Sequence, residues 1–262
     1  MPEKLWICNA GVLDYRSGLE LQERLREARQ RELIPDTLLL LEHSPALYTR
    51  GRRSVPGELT MGEAWYAERG IEIIQTKRGG KVTYHGPGQL VGYGIVRITD
   101  TVGYVRVMEE AIAAALGSSE GIAARGRPED GPDYTGVWVQ NRKIASIGVH
   151  LAHGVAAHGF AVNVENDMRP FNWVIACGLP EVTMTSVAAE QGDPGVAPAA
   201  LPVIPEGLFV PAHTGNIPVT ASTPTESERF LRFRTAMALA FAEGMGLQGE
   251  PVELAQLQAV TL

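Results

Sequence analysis

Two side chains in this sequence have the types that nucleophilic chemistry needs, a thiol at Cys177 and an amine at Lys143. Cys177 lies in Val174-Ile175-Ala176-Cys177-Gly178-Leu179-Pro180, at the end of an apolar run and against a glycine and a proline. A cysteine on a glycine turn exposes its sulfur and can meet backbone N–H groups, which favour a thiolate and a bound oxyanion. On residue type alone a free cysteine is more often a small buried hydrophobe. Cys8, inside an apolar run, reads that way. Lys143 opens a strand-like segment whose alternate positions Ala145, Ile147, Val149 and Leu151 form an apolar stripe. A lysine there either snorkels from the end of the sheet or points into a site, where it could accept a proton from a thiol. Spacing alone does not bring the two together.

Other constellations narrow the chemistry. Arg78-Gly79-Gly80-Lys81 looks like a phosphate loop, but the required earlier glycine is absent and Val82 stands where Ser or Thr is needed. No dinucleotide fingerprint and no serine-hydrolase elbow is present. His150, His153 and His158 invite a metal reading. Three residues apart on a strand, His150 and His153 would face opposite ways, and no carboxylate stands at ligand spacing, so no metal is expected. The His85-Gly86-Pro87-Gly88 turn, between Gly79-Gly80 and Gly92, serves either close approach of a ligand to backbone or a tight sheet connection.

The elements that must position these residues are mixed. Leu5–Leu13 is strand-like, followed by a helix from an N-cap at Asp14 to Leu33. Thr37–Glu42 reads as a buried strand, Met61–Arg69 as a helix and Ile71–Thr76 as a strand. Val82–His85 and Leu90–Ile98 flank the glycine turn as a hairpin or tight loop. A helix over Tyr104–Leu116 precedes strands at Gly136–Gln140 and Lys143–Leu151, joined at Asn141-Arg142, and another at Ala157–Val164. Residues 187–224, rich in Pro, Gly and Ala, read as a long irregular excursion. A last helix, capped near Thr225, covers about 226–245, with Phe230, Phe233, Met237 and Phe241 on one face. The pattern is that of an α/β (α+β) protein with a mixed β-sheet flanked by helices, and all 262 residues are expected to form one domain.

Composition sets the outer limits. Hydrophobic residues are 45% and charged residues 20% of the chain, which excludes a disordered or fibrous protein. Two cysteines are too few for a disulfide scaffold, and no apolar run is long enough to span a bilayer. A cytoplasmic, reduced protein is expected, with no secretory signal at Met1-Pro2-Glu3-Lys4. The net charge of −7 argues against nonspecific binding to nucleic acid or an anionic membrane. Residues 50–106 nevertheless hold nine basic against five acidic side chains, while 107–262 hold eight against seventeen. The basic stretch is either a solvated face or a dock for an acidic partner.

Together these segments resemble the lipoate-protein ligase B family, the octanoyl-acyl-carrier-protein:protein octanoyltransferases. The resemblance is carried by Arg78-Gly79-Gly80-Lys81-Val82-Thr83-Tyr84-His85-Gly86-Pro87-Gly88-Gln89-Leu90-Val91-Gly92-Tyr93. Further matches are Leu39–His43 with Tyr48–Arg52, Lys143–Gly148, His158–Val164, and Cys177-Gly178-Leu179 followed by Thr185-Ser186. The chain departs from the family's usual prolines at Ala176 and Gly94. The resemblance implies a fold like the catalytic module of biotin and lipoate ligases. It also implies an acyltransferase in which Cys177 carries the acyl thioester and Lys143 favours its thiolate. Arg78, Gly79, Gly80, Lys81, Val82, Thr83, Tyr84, His85, Ser146, Ile147, Gly148, Gly159, Phe160 and Ala161 would line the acyl pocket, the small residues leaving room for the tail. Octanoyl-acyl carrier protein would be the donor, and lipoyl domains of 2-oxoacid dehydrogenases and the glycine cleavage H protein the acceptors, with no cofactor. Two rival readings on the same sequence are an ATP-dependent lipoate-protein ligase and a non-catalytic acyl-carrier-binding module.

Overall fold

The run Leu38-Leu39-Leu40-Leu41 marks the middle of the molecule. In the computed structural model, which describes residues 3–193, 196–199 and 226–260, it lies in a strand with every residue buried. Leu38 and Leu40 enter one hydrophobic cluster and Leu39 and Leu41 another, so alternation sends the side chains into cores on both faces. Each such leucine contributes about 1.5–3 kcal/mol by leaving water.

In chain order the elements begin β1 (Lys4–Leu13), α1 (Tyr15–Gln30), β2 (Asp36–His43), β3 (Leu47–Arg50), α2 (Glu63–Glu68) and β4 (Glu72–Gln75). They continue β5 (Thr83–His85), β6 (Gln89–Ile95), α3 (Thr101–Glu120), β7 (Arg125–Gly126), β8 (Gly136–Val139), β9 (Arg142–Ala152) and β10 (Val155–Asn163). After these come β11 (Thr183–Met184), α4 (Val187–Glu190), α5 (Glu228–Gly244), β12 (Gln248–Pro251) and α6 (Leu254–Gln258). A nine-stranded mixed sheet runs β12-β1-β2-β6-β10-β9-β8-β7, with β11 paired to β9, and a three-stranded sheet runs β4-β3-β5. Helices α3 and α5 cover one face of the large sheet through Met108, Ile112, Phe230, Phe233, Met237 and Phe241. Helix α1 covers the other through Leu21, Leu25 and Ala28. A third cluster, including Tyr48, Tyr66, Val82, Tyr84, Phe171 and Ala176, packs the small sheet against the segment that carries Cys177.

The expected α/β mixture with flanking helices is what forms, with several boundaries moved. Helix α1 begins on Asp14, whose carboxylate accepts from the Ser17 amide, but it ends at Gln30, and the left-handed backbone of Glu32 (φ 61°) precludes continuation to Leu33. The cap of α5 is Ser227, whose hydroxyl accepts from the Phe230 amide, whereas Thr225 lies outside the described residues. Residues 187–190 form a short helix instead of opening an irregular stretch, and 194–195 and 200–224 of the expected excursion lie outside the described residues. The largest correction concerns the glycine turn at 85–88. Its flanking strands do not make a hairpin. Strand β5 pairs with β3 and β6 pairs with β2 and β10, so the turn carries the chain from one sheet to the other.

Candidate active site

Between the two sheets a cavity of about 290 Å³ opens, lined among others by Cys177, Lys143, Ser146 and the 78–81 loop. Strand β9 supplies its wall, and a single irregularity decides how. Gly136 pairs with Ser146 and Val137 with Ala145, but Trp138 then pairs with Lys143, leaving Ile144 as the extra residue of a β-bulge. The bulge reverses the alternation expected for β9. Lys143 shares a face with Ser146, not with Ala145 and Ile147, and so points into the cavity. It does not snorkel: the side chain is fully buried, its Nζ donates to the Thr135 carbonyl at 2.7 Å and sits 5.1 Å from the Trp138 ring centroid. Among the described residues no carboxylate forms an ion pair with it.

Gly136 makes this placement possible. Its φ is 135°, and a Cβ there would lie 2.3 Å from the Ala145 carbonyl oxygen and 2.7 Å from Lys143 Cε. Gly136→Ala is therefore expected to cost about 2–3 kcal/mol of stability and to displace the amine. A lowered denaturation midpoint together with reduced turnover checks this, and an unchanged midpoint would remove the steric argument.

Cys177 sits in a 3-10 turn, Ala176–Gly178, with left-handed backbone (φ 57°, ψ 12°). Left-handed geometry costs a non-glycine residue about 1–2 kcal/mol, strain of the kind kept at functional positions. The turn does not deliver the backbone donors expected from the sequence. The Cys177 amide donates to the Val82 carbonyl and the Gly178 amide to that of Ile175, so both are engaged in holding the turn. The sulfur is instead 3.6 Å from the Ser146 hydroxyl, its one hydrogen-bond partner among the described residues. Cys8 is the opposite case, fully buried and pushed up to about 11 by burial, which leaves it an inert thiol.

Opposite β9 lies the 78–81 loop. The Gly79 amide donates to the Val149 carbonyl at 2.8 Å, and the buried Arg78 guanidinium donates to the Thr49 carbonyl and hydroxyl at 2.8 and 2.7 Å. Burial pushes the Arg78 pKa down from its usual value, with the neighbouring Tyr15 and Cys177 opposing that shift. Gly148 lets the loop lie this close, since a Cβ there would be 2.8 Å from the Gly79 carbonyl oxygen. Likewise a Cβ at Gly159 would meet the Gly92 carbonyl oxygen at 2.2 Å. The space freed by these two glycines is thus taken by neighbouring backbone rather than left open for a tail. At the mouth, Arg53 pairs with Asp133 at 2.9 Å, joining the loop after β3 to the segment before β8.

Of the residues anticipated for the pocket, Arg78, Gly79, Gly80, Lys81, Thr83 and His85 line the cavity, as do Ser146, Ile147, Gly148, Gly159, Phe160 and Ala161. Val82 and Tyr84 do not. Val82, just before β5, and Tyr84 within it alternate away from Thr83 and His85 into the third core cluster. Ile147 and Phe160 belong to the α3 face of the large sheet, and the cavity reaches them and Val105 near the rung where Gly148 pairs with Gly159. Sequence reasoning missed Tyr15, Arg52, Arg53, Tyr93, Asp133 and Thr135 as lining residues. Thr135 serves Lys143 through its carbonyl, which no side-chain pattern signals. His158, weighed as a metal ligand and matched to the family in His158–Val164 but not expected to line the pocket, has left-handed backbone (φ 61°) and lines the cavity, while His153 lies in the turn after β9 rather than on the strand. Among the described residues no three His, Cys, Asp or Glu side chains are grouped to hold a metal. No helix among them is long and apolar enough to cross a membrane.

This geometry can now be set beside known proteins. Residues 14–199 match the lipoyl protein ligase A/B catalytic domain. The chain belongs to that family. An octanoyltransferase of Solibacter usitatus is 49% identical over 183 residues, covering 68% of this chain and 80% of the relative. One from Salinispora arenicola is 39% identical over 215 residues, covering 78% and 94%. Among solved structures, lipoate-protein ligase A bound with ATP superposes with a TM-score of 0.68 at 17% identity, covering 98% of this chain and 91% of that one. A bi-partite lipoate protein ligase from Thermoplasma acidophilum gives 0.62 at 16% identity, covering 98% and 89%. At such identities the two structures show that the fold is shared within the lipoyl protein ligase A/B family, as the resemblance implied, and nothing finer.

Proposed function

We propose that this member of the lipoyl protein ligase A/B family is an octanoyltransferase that works through an acyl-enzyme on Cys177. It takes an octanoyl group from octanoyl-acyl carrier protein and passes it to a lysine of a lipoyl domain, in 2-oxoacid dehydrogenases or the glycine cleavage H protein. Relatives bearing the octanoyltransferase name support the reaction. The observation that carries the mechanism is one cavity that holds a strained, accessible thiol and a buried amine with no carboxylate partner among the described residues.

In the first step the Cys177 thiolate attacks the donor's thioester carbonyl, a new C–S bond forms, and the carrier's thiolate leaves, taking a proton from Lys143. In the second, the acceptor's lysine amine attacks the acyl-enzyme, an amide forms, Cys177 leaves as thiolate and the amine's proton returns to Lys143. One thioester is exchanged for another and then for a more stable amide, so no ATP is consumed. Val91, Val105, Ile147, Phe160 and Ala161 offer the apolar wall. Burying six methylenes there is worth at most about 5 kcal/mol, enough to prefer octanoyl over acetyl. Arg52, exposed at the cavity and without an ion pair among the described residues, suits an acidic carrier. The free thiol suits a reducing, cytoplasmic compartment.

Incubation with octanoyl-carrier protein in the absence of ATP should add one octanoyl group to Cys177, read by intact mass and peptide mapping. An unmodified Cys177, or transfer that requires ATP and free acid, overturns the proposal in favour of a ligase.

A further inference from the structure

The surroundings of Ser146 set it apart from the rest of the cavity wall. On β9 it is flanked across the sheet by Gly136 on β8 and Ala161 on β10, neither with a polar side chain. Its hydroxyl has one hydrogen-bond partner among the described residues, the Cys177 sulfur at 3.6 Å. Lys143, by contrast, spends its donor on the Thr135 carbonyl and makes no hydrogen bond to the sulfur. Both ends of the Ser146–Cys177 contact are held by backbone: the serine by the sheet, the cysteine by its bond to Val82.

We propose that Ser146 is the direct hydrogen-bond donor to the reacting sulfur, stabilising it as a thiolate both when it attacks and when it leaves. The chemistry fixes the direction of the bond. While the sulfur carries its proton, either group can donate. Once it is an anion only the hydroxyl can, and the bond becomes charge-assisted and stronger. The bulge at Ile144 is what makes the arrangement possible, because it puts donor and amine on one face of β9. Lys143 then acts as the nearby cation and proton carrier, and Ser146 as the fixed dipole. The assignment rests on Cys177 being the acyl carrier, and the experiment separates the two claims.

The rate of iodoacetamide alkylation would be followed from pH 6 to 10 for the wild type, Ser146→Ala and Ser146→Thr, each checked for an unchanged far-ultraviolet spectrum. Buried Cys8 does not interfere, and Cys177→Ala supplies the blank. Ser146→Ala is expected to react about tenfold more slowly at pH 7, the worth of a hydrogen bond to a charged group, and to converge with the wild type at pH 10. Ser146→Thr, which keeps the hydroxyl, should recover most of the rate. Superimposed pH profiles for Ser146→Ala and wild type would overturn the assignment. Octanoylation of the wild-type chain, read by mass in parallel, tests the transferase reading: a moved profile without octanoylation sinks that reading and leaves the hydrogen bond standing.

Discussion

Cys177→Ala is expected to abolish octanoyl transfer, with a loss of about four orders of magnitude or more, and to leave the protein folded. The neighbouring groups are poorer acyl carriers: both ring nitrogens of His85 are engaged, with Thr49 and Gln89, and the Ser146 hydroxyl is a weaker nucleophile than a thiolate. Lys143→Met, which keeps the length of the buried chain and removes its charge and proton, should cost about 10²–10⁴-fold, the range of a positioned general acid–base group. The two substitutions should not add. Without the thiol the amine has no proton to manage, so the double variant should be no slower than Cys177→Ala. The strained backbone gives an independent handle. Cys177→Gly should match Cys177→Ala in activity yet be more stable, because glycine tolerates the left-handed conformation. Single-turnover transfer and urea denaturation on the four variants check all of this. Residual transfer by Cys177→Ala within tenfold of wild type would leave no role for an acyl-enzyme.

Much of the scaffold was legible because hydrophobic periodicity reports burial. Leu38–Leu41 announced a strand covered on both faces, and Phe230, Phe233, Met237 and Phe241 announced the buried face of α5. Periodicity does not report which sheet a strand joins, and so β5 and β6 looked like a hairpin although they serve different sheets. It also fails across an irregularity. The extra residue at Ile144 carries no signal in Arg142-Lys143-Ile144-Ala145-Ser146, yet it decides that the amine faces the cavity. The parts of the site that stayed hidden are backbone groups, such as the Thr135 carbonyl, and residues brought from distant segments, such as Tyr15 and Arg53. Their positions follow from packing of whole elements, which local pattern does not contain.

The protein should lose stability steeply as the pH falls below about 6.5, the ordinary value for histidine. His43, His85 and His158 cluster around Tyr93 and the cavity wall, almost wholly buried. Burial pushes His43 down to about 4 and His158 down to about 3, and pushes His85 far below its usual value, with Arg78 adding to the effect on the last two. In the unfolded chain all three would bind protons near pH 6.5, and in the folded chain they refuse them. Stability is therefore intact above that pH and is lost as pH falls through the window toward 4. Each histidine can contribute about 1.4 kcal/mol per pH unit. Between pH 6.5 and 5 the three together amount to about 5 kcal/mol, a large share of the 5–15 kcal/mol typical of a domain. Glu42, raised by burial, works in the opposite sense, one group against three. Urea midpoints measured from pH 8 to pH 5 should fall steeply below pH 6.5, and His158→Phe, which removes one of the three groups, should flatten the slope by about a third. A stability curve that is level across this range would mean that the histidines take up protons in the folded state.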